Sequence, residues 1–240
     1  MSSSLEPIPL DDLALVLVPA LLVIFVLYRW SVGPGGALYA LGRMLVQLLA
    51  IGYLLTYLFD SDSPIVMGLV LLVMLLAASW IAIRPAASKD GRGFLLVLTA
   101  VSASGLGTLA IVLFGVLKPD PWYTPSVLIP IAGMIFASAM TATSLAIERL
   151  ASERCGGVDL DQACQRAFRA ALIPQINSLL SVGLVTLPGM MTGQIISGVS
   201  PLIAVRYQIV VMCMIFGAAG LSTAVYLYLA KREEEDPRST

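Results

Sequence analysis

From Leu13 to Tyr28 the chain has no charged residue, and windows of the same kind recur at Ala37 to Phe59, Pro64 to Ile83, Phe94 to Leu117, Pro125 to Ile147 and Ile203 to Ala230, interrupted only by Arg43 and Arg206. A helix needs about 20 such residues to cross roughly 30 Å of hydrocarbon. Repetition on this scale leaves lipid as the solvent for which the chain is built. With 58% hydrophobic and 12% charged residues, the composition agrees. The windows are continuously apolar and do not alternate, so they are helices and not the strands of a lipid-facing barrel. Residues 173–197 are also long enough to cross. The expectation is an all-α polytopic membrane protein of seven spans, forming one membrane domain over residues 1–240 with no separate soluble domain. The N-terminal MSSSLEPIPLDD has no Lys or Arg, so the first span reads as retained and not as a cleavable signal.

Basic residues give the orientation, because cytoplasmic loops of membrane proteins hold the excess of Lys and Arg. Arg29 and Arg43 border the first connection; Arg84, Lys89 and Arg92 the third; Arg149, Arg154, Arg166 and Arg169 the fifth; Lys231, Arg232 and Arg238 the tail. These are twelve of the fourteen basic residues, all on alternate connections. Opposite them lie Asp60 and Asp62, Lys118 with Asp120, and Arg206. The N-terminus is expected outside and the C-terminus in the cytoplasm, in a multi-pass protein of the inner cell membrane.

Several chemistries are excluded by what the chain lacks. It contains no histidine, which removes His-based triads, His-ligated zinc and imidazole proton relays. It contains no G-x-x-x-x-G-K-[ST], so no phosphate-cradling loop of its own. No lysine sits inside a span to hold a retinal, and no acid lies within a span as ion-coupled carriers usually require. Cys155, Cys164 and Cys213 read as small buried hydrophobes without a disulfide. The expectation is a protein that is not an enzyme, holds no cofactor and no metal cage, and has membrane lipid and a cytoplasmic protein, not nucleic acid, as partners.

The longest polar stretch, residues 148–172, is a candidate cytoplasmic coupling segment. Leu160, Ala163, Cys164, Ala167, Phe168 and Ala171 recur at helical spacing and form one apolar stripe. Asp159 is placed to cap this helix, with Gln162 three positions on, and arginines towards its end suit the macrodipole. Two readings remain open: a helix lying on the membrane surface, or a docking handle for a cytoplasmic partner through Asp159, Arg166, Phe168 and Arg169.

Small residues recur on the fifth span at Gly133, Ala137, Thr141 and Ser144, and Gly189 with Gly193 makes a G-x-x-x-G pair in the sixth. The sixth span, which includes LVTLPGMMTGQIISGVSP, collects Gln175, Asn177, Ser178, Ser181, Thr186, Thr192 and Gln194 around Pro188. Proline removes a backbone hydrogen bond and invites a kink. Broken backbone at membrane depth is tolerated where protein or water satisfies it. The segment therefore reads as a kinked interior helix, a hinge or pathway wall involving Asn177, Ser181, Thr186, Pro188, Gly189, Met190, Met191, Gly193 and Gln194. Arg43 with Gln47, and Arg206 with Gln208, are intramembrane polar pairs that either snorkel or serve the pathway.

Residues 172–212, with their LPGMMTGQI core, resemble the signature region of the FetB family of ABC-transporter permeases associated with iron export. RMLVQLLAIG at 43–52 and PWYTPSVLIPIAGMI at 121–135 are similar to two further blocks of that family. The chain departs from the family pattern at Phe136-Ala137-Ser138 and in a shortened connection around Gly156 and Gly157. The resemblance implies a permease, present as two copies, driven by a separate cytoplasmic ABC ATPase that alone uses ATP, with iron as cargo. The alternatives are a non-transporting scaffold or sensor and an ATP-independent carrier.

Overall fold

The computed structural model describes residues 9–59, 63–86 and 90–235. The N-terminal residues before these, Asp60, Asp62, Lys89 and Arg238 lie outside the described residues. Among the described residues there are eight α-helices and no strand: α1 (Leu10–Arg29), α2 (Gly35–Phe59), α3 (Pro64–Ala82), α4 (Gly91–Ala110), α5 (Pro125–Cys155), α6 (Leu160–Ser181), α7 (Gly189–Ile196) and α8 (Pro201–Glu235). A π-helical turn, Ile111–Leu117, prolongs α4 and ends at Lys118 in the left-handed region (φ 46°). Proline begins α3, α5 and α8, where the missing N–H costs nothing. α2, α3, α4 with its π turn, α5 and α8 are long and apolar enough to span a membrane, and α1 holds a shorter apolar stretch, Leu15–Arg29.

The chain divides into two compact units, α1–α2 and α3–α8. In the first, the apolar window of α2 has no buried share. Arg43 and Gln47 pair along one face of α2. With the Gln47 amide oxygen turned towards it, Arg43 Nε and Nη2 stand 3.2 and 3.3 Å away.

In the second unit α5 packs against α3, α4, α6 and α8. Its closest seam is with α8 and is made of small residues: Ala139, Ala142, Thr143 and Ala146 face Ala218, Ala219, Ser222 and Thr223, all essentially fully buried. Thr143 donates to Ser222 Oγ (3.2 Å), and that hydroxyl reaches the carbonyl of Ala139 at 3.3 Å. Lipid competes with neither bond, and small side chains let the two backbones approach. The seam is not the stripe expected from sequence. Ala137 and Thr141 of that stripe are exposed, while the buried small residues lie on the neighbouring face. Gly189 and Gly193 have no atom within 4 Å of where a Cβ would stand, so that pair packs no helix here either.

Gly105 of α4 does need to be glycine. An added Cβ would lie 2.8 and 2.9 Å from two carbons of the Phe136 ring, which is 2% exposed and cannot move aside. Gly105→Ala is expected to lower stability by about 1–3 kcal/mol through overpacking. Gly107→Ala, with nothing within 4 Å, should be neutral or slightly stabilising. Melting temperatures in detergent compare the two; equal values would refute this packing.

The largest departure from expectation concerns residues 148–197. The segment read as a cytoplasmic connection is helical almost throughout. Its start is the end of α5, and a tight turn at Gly156 and Gly157 leads into α6 at Leu160. The Asp159 side chain caps α6 by accepting from the N–H of Asp161 (3.1 Å), and Arg154 Nη1 donates to the carbonyl of Val158 (3.1 Å) across the turn. The apolar stripe lies neither on lipid nor open for docking. Ala163, Ala167 and Ala171 are buried against Ala146 and Leu150 of α5 and Leu227 of α8, and Phe168 packs into the same core. Leu172 meets Ala142 and Ala219. α6 thus runs antiparallel to both α5 and α8.

The expected single span at 173–197 is likewise two pieces. α6 ends at Ser181, Val182 turns extended, and Gly183 takes φ +82°, a region open to glycine. Gly183 N–H bonds Thr186 O (2.9 Å) and Val185 N–H bonds Ser181 O (2.8 Å), closing a compact loop before α7. Pro188 is not a mid-helix kink but the N-cap of α7. Leu184, Val185 and Leu187 at the loop tip are strongly exposed, so this part is not an interior helix. Cys155 and Cys213 are exposed, contrary to the buried expectation, and all three cysteines are free.

Candidate functional site

Two features stand at opposite ends of the α5–α6–α8 layer. At one end α5 and α8 run on past their apolar stretches into charged turns, and α6 begins between them. Glu153, only 7% exposed, is held by Arg149 one turn earlier and by Arg166 of α6, whose Nη1 donates to Glu153 Oε2 at 2.8 Å. A buried carboxylate is tolerable only when its oxygens are engaged, and here two guanidinium groups engage them. Arg154 pairs with Glu234 of α8 (3.2 Å), and Lys231 of α8 pairs with Asp161 of α6. These last two pairs are exposed and individually worth about 0–1 kcal/mol. Glu153 adds a polar tie between α6 and α5 beside their buried alanine seam.

At the other end α6 stops and α7 begins beside a cavity of about 340 Å³. Met134 of α5, Ser178 of α6, Thr186 and Pro188 of the loop, Met190 of α7, and Gln208 and Met212 of α8 are among the residues that line it. Gln208 is 6% exposed, and among the described residues its Oε1 has no hydrogen-bond partner. A buried polar atom left unpaired costs about 1–3 kcal/mol, so Gln208 is an acceptor held ready at the wall. Among the described residues no carboxylate, thiol or imidazole lines the space.

Of the pathway residues read from sequence, Thr186, Pro188, Gly189 and Met190 come together at this cavity, and Gln208 joins them from α8. Asn177, Ser181, Met191, Gly193 and Gln194 do not line it. Asn177 and Gly193 are exposed, and Gln194 keeps a buried, unpaired Oε1 on α7. Arg206, paired with Gln208 in the sequence reading, is exposed while Gln208 is buried. Arg43 and Gln47 belong to the other unit. Of the coupling residues, Asp159 is the helix cap, Arg166 and Arg169 lie on the exposed face of α6, and Phe168 is half-buried in the core. Met134 and Met212 are wall residues that sequence reasoning missed. Each sits in an ordinary apolar span, and no spacing links them to Met190.

Comparison with known proteins places both features in a family context. Residues 10–155 and 157–234 match the family described as "Uncharacterised protein family (UPF0014)". A UPF0014 membrane protein of Synechocystis is 41% identical over 79% of this chain and 79% of its own length. The probable iron export permease FetB of Escherichia coli is 33% identical over 93% and 91%. The Arabidopsis protein ALUMINUM SENSITIVE 3 is 31% identical over 90% and 84%. No solved structure gives a significant match.

Proposed function

We propose that this chain, which belongs to the UPF0014 family of membrane proteins, is the permease subunit of an ATP-driven exporter of metal cations. A separate cytoplasmic ABC ATPase supplies the energy, and the permease works as a homodimer. The observation that carries this reading is the similarity to a probable iron export permease along nearly the whole of both chains. Iron is the cargo that relative's name supplies. The charged end supports a coupling role, because α5, α6 and α8 are tied there by Glu153, Arg154 and Lys231 into one body that a partner can push. With Arg166 engaged by Glu153, exposed Arg169 on the same helix offers that partner a basic contact.

In this reading the chain crosses seven times, N-terminus outside and C-terminus in the cytoplasm. The sixth crossing is α6 itself, entering at the charged end and leaving at Ser181. Alternating access then consists of the α5–α6–α8 layer tilting when the ATPase closes, which opens or closes the cavity beside α7 to the outside.

The test is purification of the chain from its native membrane with bound proteins, followed by reconstitution. The expected outcome is a stoichiometric nucleotide-binding partner and metal efflux that requires both proteins and ATP. Efflux from vesicles containing this chain alone would replace the proposal with a carrier. A partner lacking a nucleotide site would replace it with a scaffold.

A further inference from the structure

We infer that the cavity at the α6–α7 break is a thioether site for a soft, singly charged metal cation of the copper(I) or silver(I) type. The inference rests on the permease reading for the site's place on an exit path, though not for its chemistry. Three methionines, Met134, Met190 and Met212, line the cavity from three different helices. Thioether sulfur is a neutral, polarisable donor that selects soft cations. Methionine commonly serves as gap-filler in apolar interiors, but these three border open space of about 340 Å³, room for on the order of ten waters. Met190, in addition, is 36% exposed.

The remaining donors sharpen the charge preference. Gln208 contributes a buried amide oxygen with no partner, and Ser178 and Thr186 contribute hydroxyls. All are uncharged. The self-energy of an ion removed from water grows with the square of its charge, so a trivalent ion is penalised roughly nine times as heavily as a monovalent one. Hard divalent and trivalent ions offset that penalty with carboxylates, and none lines this wall. The two helix ends at the cavity, the C-terminus of α6 and the N-terminus of α7, carry partial charges of opposite sign, so together they attract neither an anion nor a highly charged cation. A monovalent soft ion is the metal that this donor set can bind and also release.

The site is tested on the purified full chain carrying Cys155→Ser, Cys164→Ser and Cys213→Ser, which removes the free thiols that would take silver(I) ahead of any thioether; it is held in lipid nanodiscs and titrated calorimetrically with silver(I) in chloride-free buffer and, separately, with iron(II) under anaerobic conditions. The expected result is about one silver(I) per chain at the cavity. Met134→Leu, Met190→Leu and Met212→Leu combined should weaken binding by at least about tenfold, since leucine conserves volume and removes only the sulfur. Met140→Leu, on α5 outside the cavity, should bind as the parent does, and iron(II) should give no saturable binding that the triple change removes. Silver affinity unaffected by the triple change, or an equal loss in Met140→Leu, would overturn the inference. So would iron(II) binding that disappears with the three methionines. No ATPase is involved, so a negative titration leaves the permease reading standing, and a failed reconstitution leaves the metal site standing.

Discussion

Replacing Ser222 by leucine is expected to part α5 from α8 and deprive the chain of its fold, whereas Ser222→Ala should be tolerated. The contrast comes from magnitudes. Alanine removes a hydroxyl whose interhelical bond is worth about 0.6 kcal/mol on average in a membrane interior. Leucine forces several extra carbons into a seam where Ala139, Thr143, Ala219 and Thr223 are already fully buried. Overpacking of that kind costs about 1–3 kcal/mol and sometimes more, and the alanines and threonines around position 222 have few or no side-chain atoms that can move aside. The check is size-exclusion behaviour and melting temperature in detergent. A Ser222→Leu protein that elutes and melts like the parent would mean that the α5–α8 seam is not as described.

Severing Glu153 from Arg166 is expected to cut nucleotide-driven transport by on the order of tenfold, within the usual span of coupling between distant sites, while leaving the ATPase bound. Glu153 is the one carboxylate of the charged end that is nearly buried, and Arg166 is its only partner from α6. Arg166→Met keeps most of the aliphatic stem and removes the ion pair while the alanine seam still holds α6 on α5, so the loss falls on the register of the two helices at the charged end. Asp161→Asn breaks the exposed pair with Lys231 and is expected to change transport by less than about twofold, because exposed pairs contribute little. Both variants are assayed in vesicles with the ATPase present. Normal transport by Arg166→Met would remove Glu153 from the coupling path.

Much of the helical framework was legible in the sequence because lipid-facing spans advertise themselves by continuous apolarity. α2 and α3 begin and end within two residues of the sequence windows, and the cap at Asp159 and the stripe from Leu160 to Ala171 are where periodicity put them. Sequence reasoning went astray where a helix is covered by its protein neighbours. The first half of α6 shows the composition of a surface helix because its alanines face α5 and α8 and Arg166 sits beside Glu153. No hydropathy window can see that cover. The same blindness hid the cavity. Pro188 and Met190 stood out by local chemistry, but Met134 and Met212 become meaningful only once α5 and α8 lie parallel.

Between Met134 and Cys155, α5 contains neither glycine nor proline and runs as one unbroken helix. Glu153 is therefore joined to the cavity wall by a stiff rod about 30 Å long. In the proposed cycle a displacement at the guanidinium end is carried to the methionine end by the helix as a whole, as through a bicycle spoke and not through a spring. In the proposed transport cycle such gearing makes the two ends move together, so the pace of opening is set by whatever turns at the charged end.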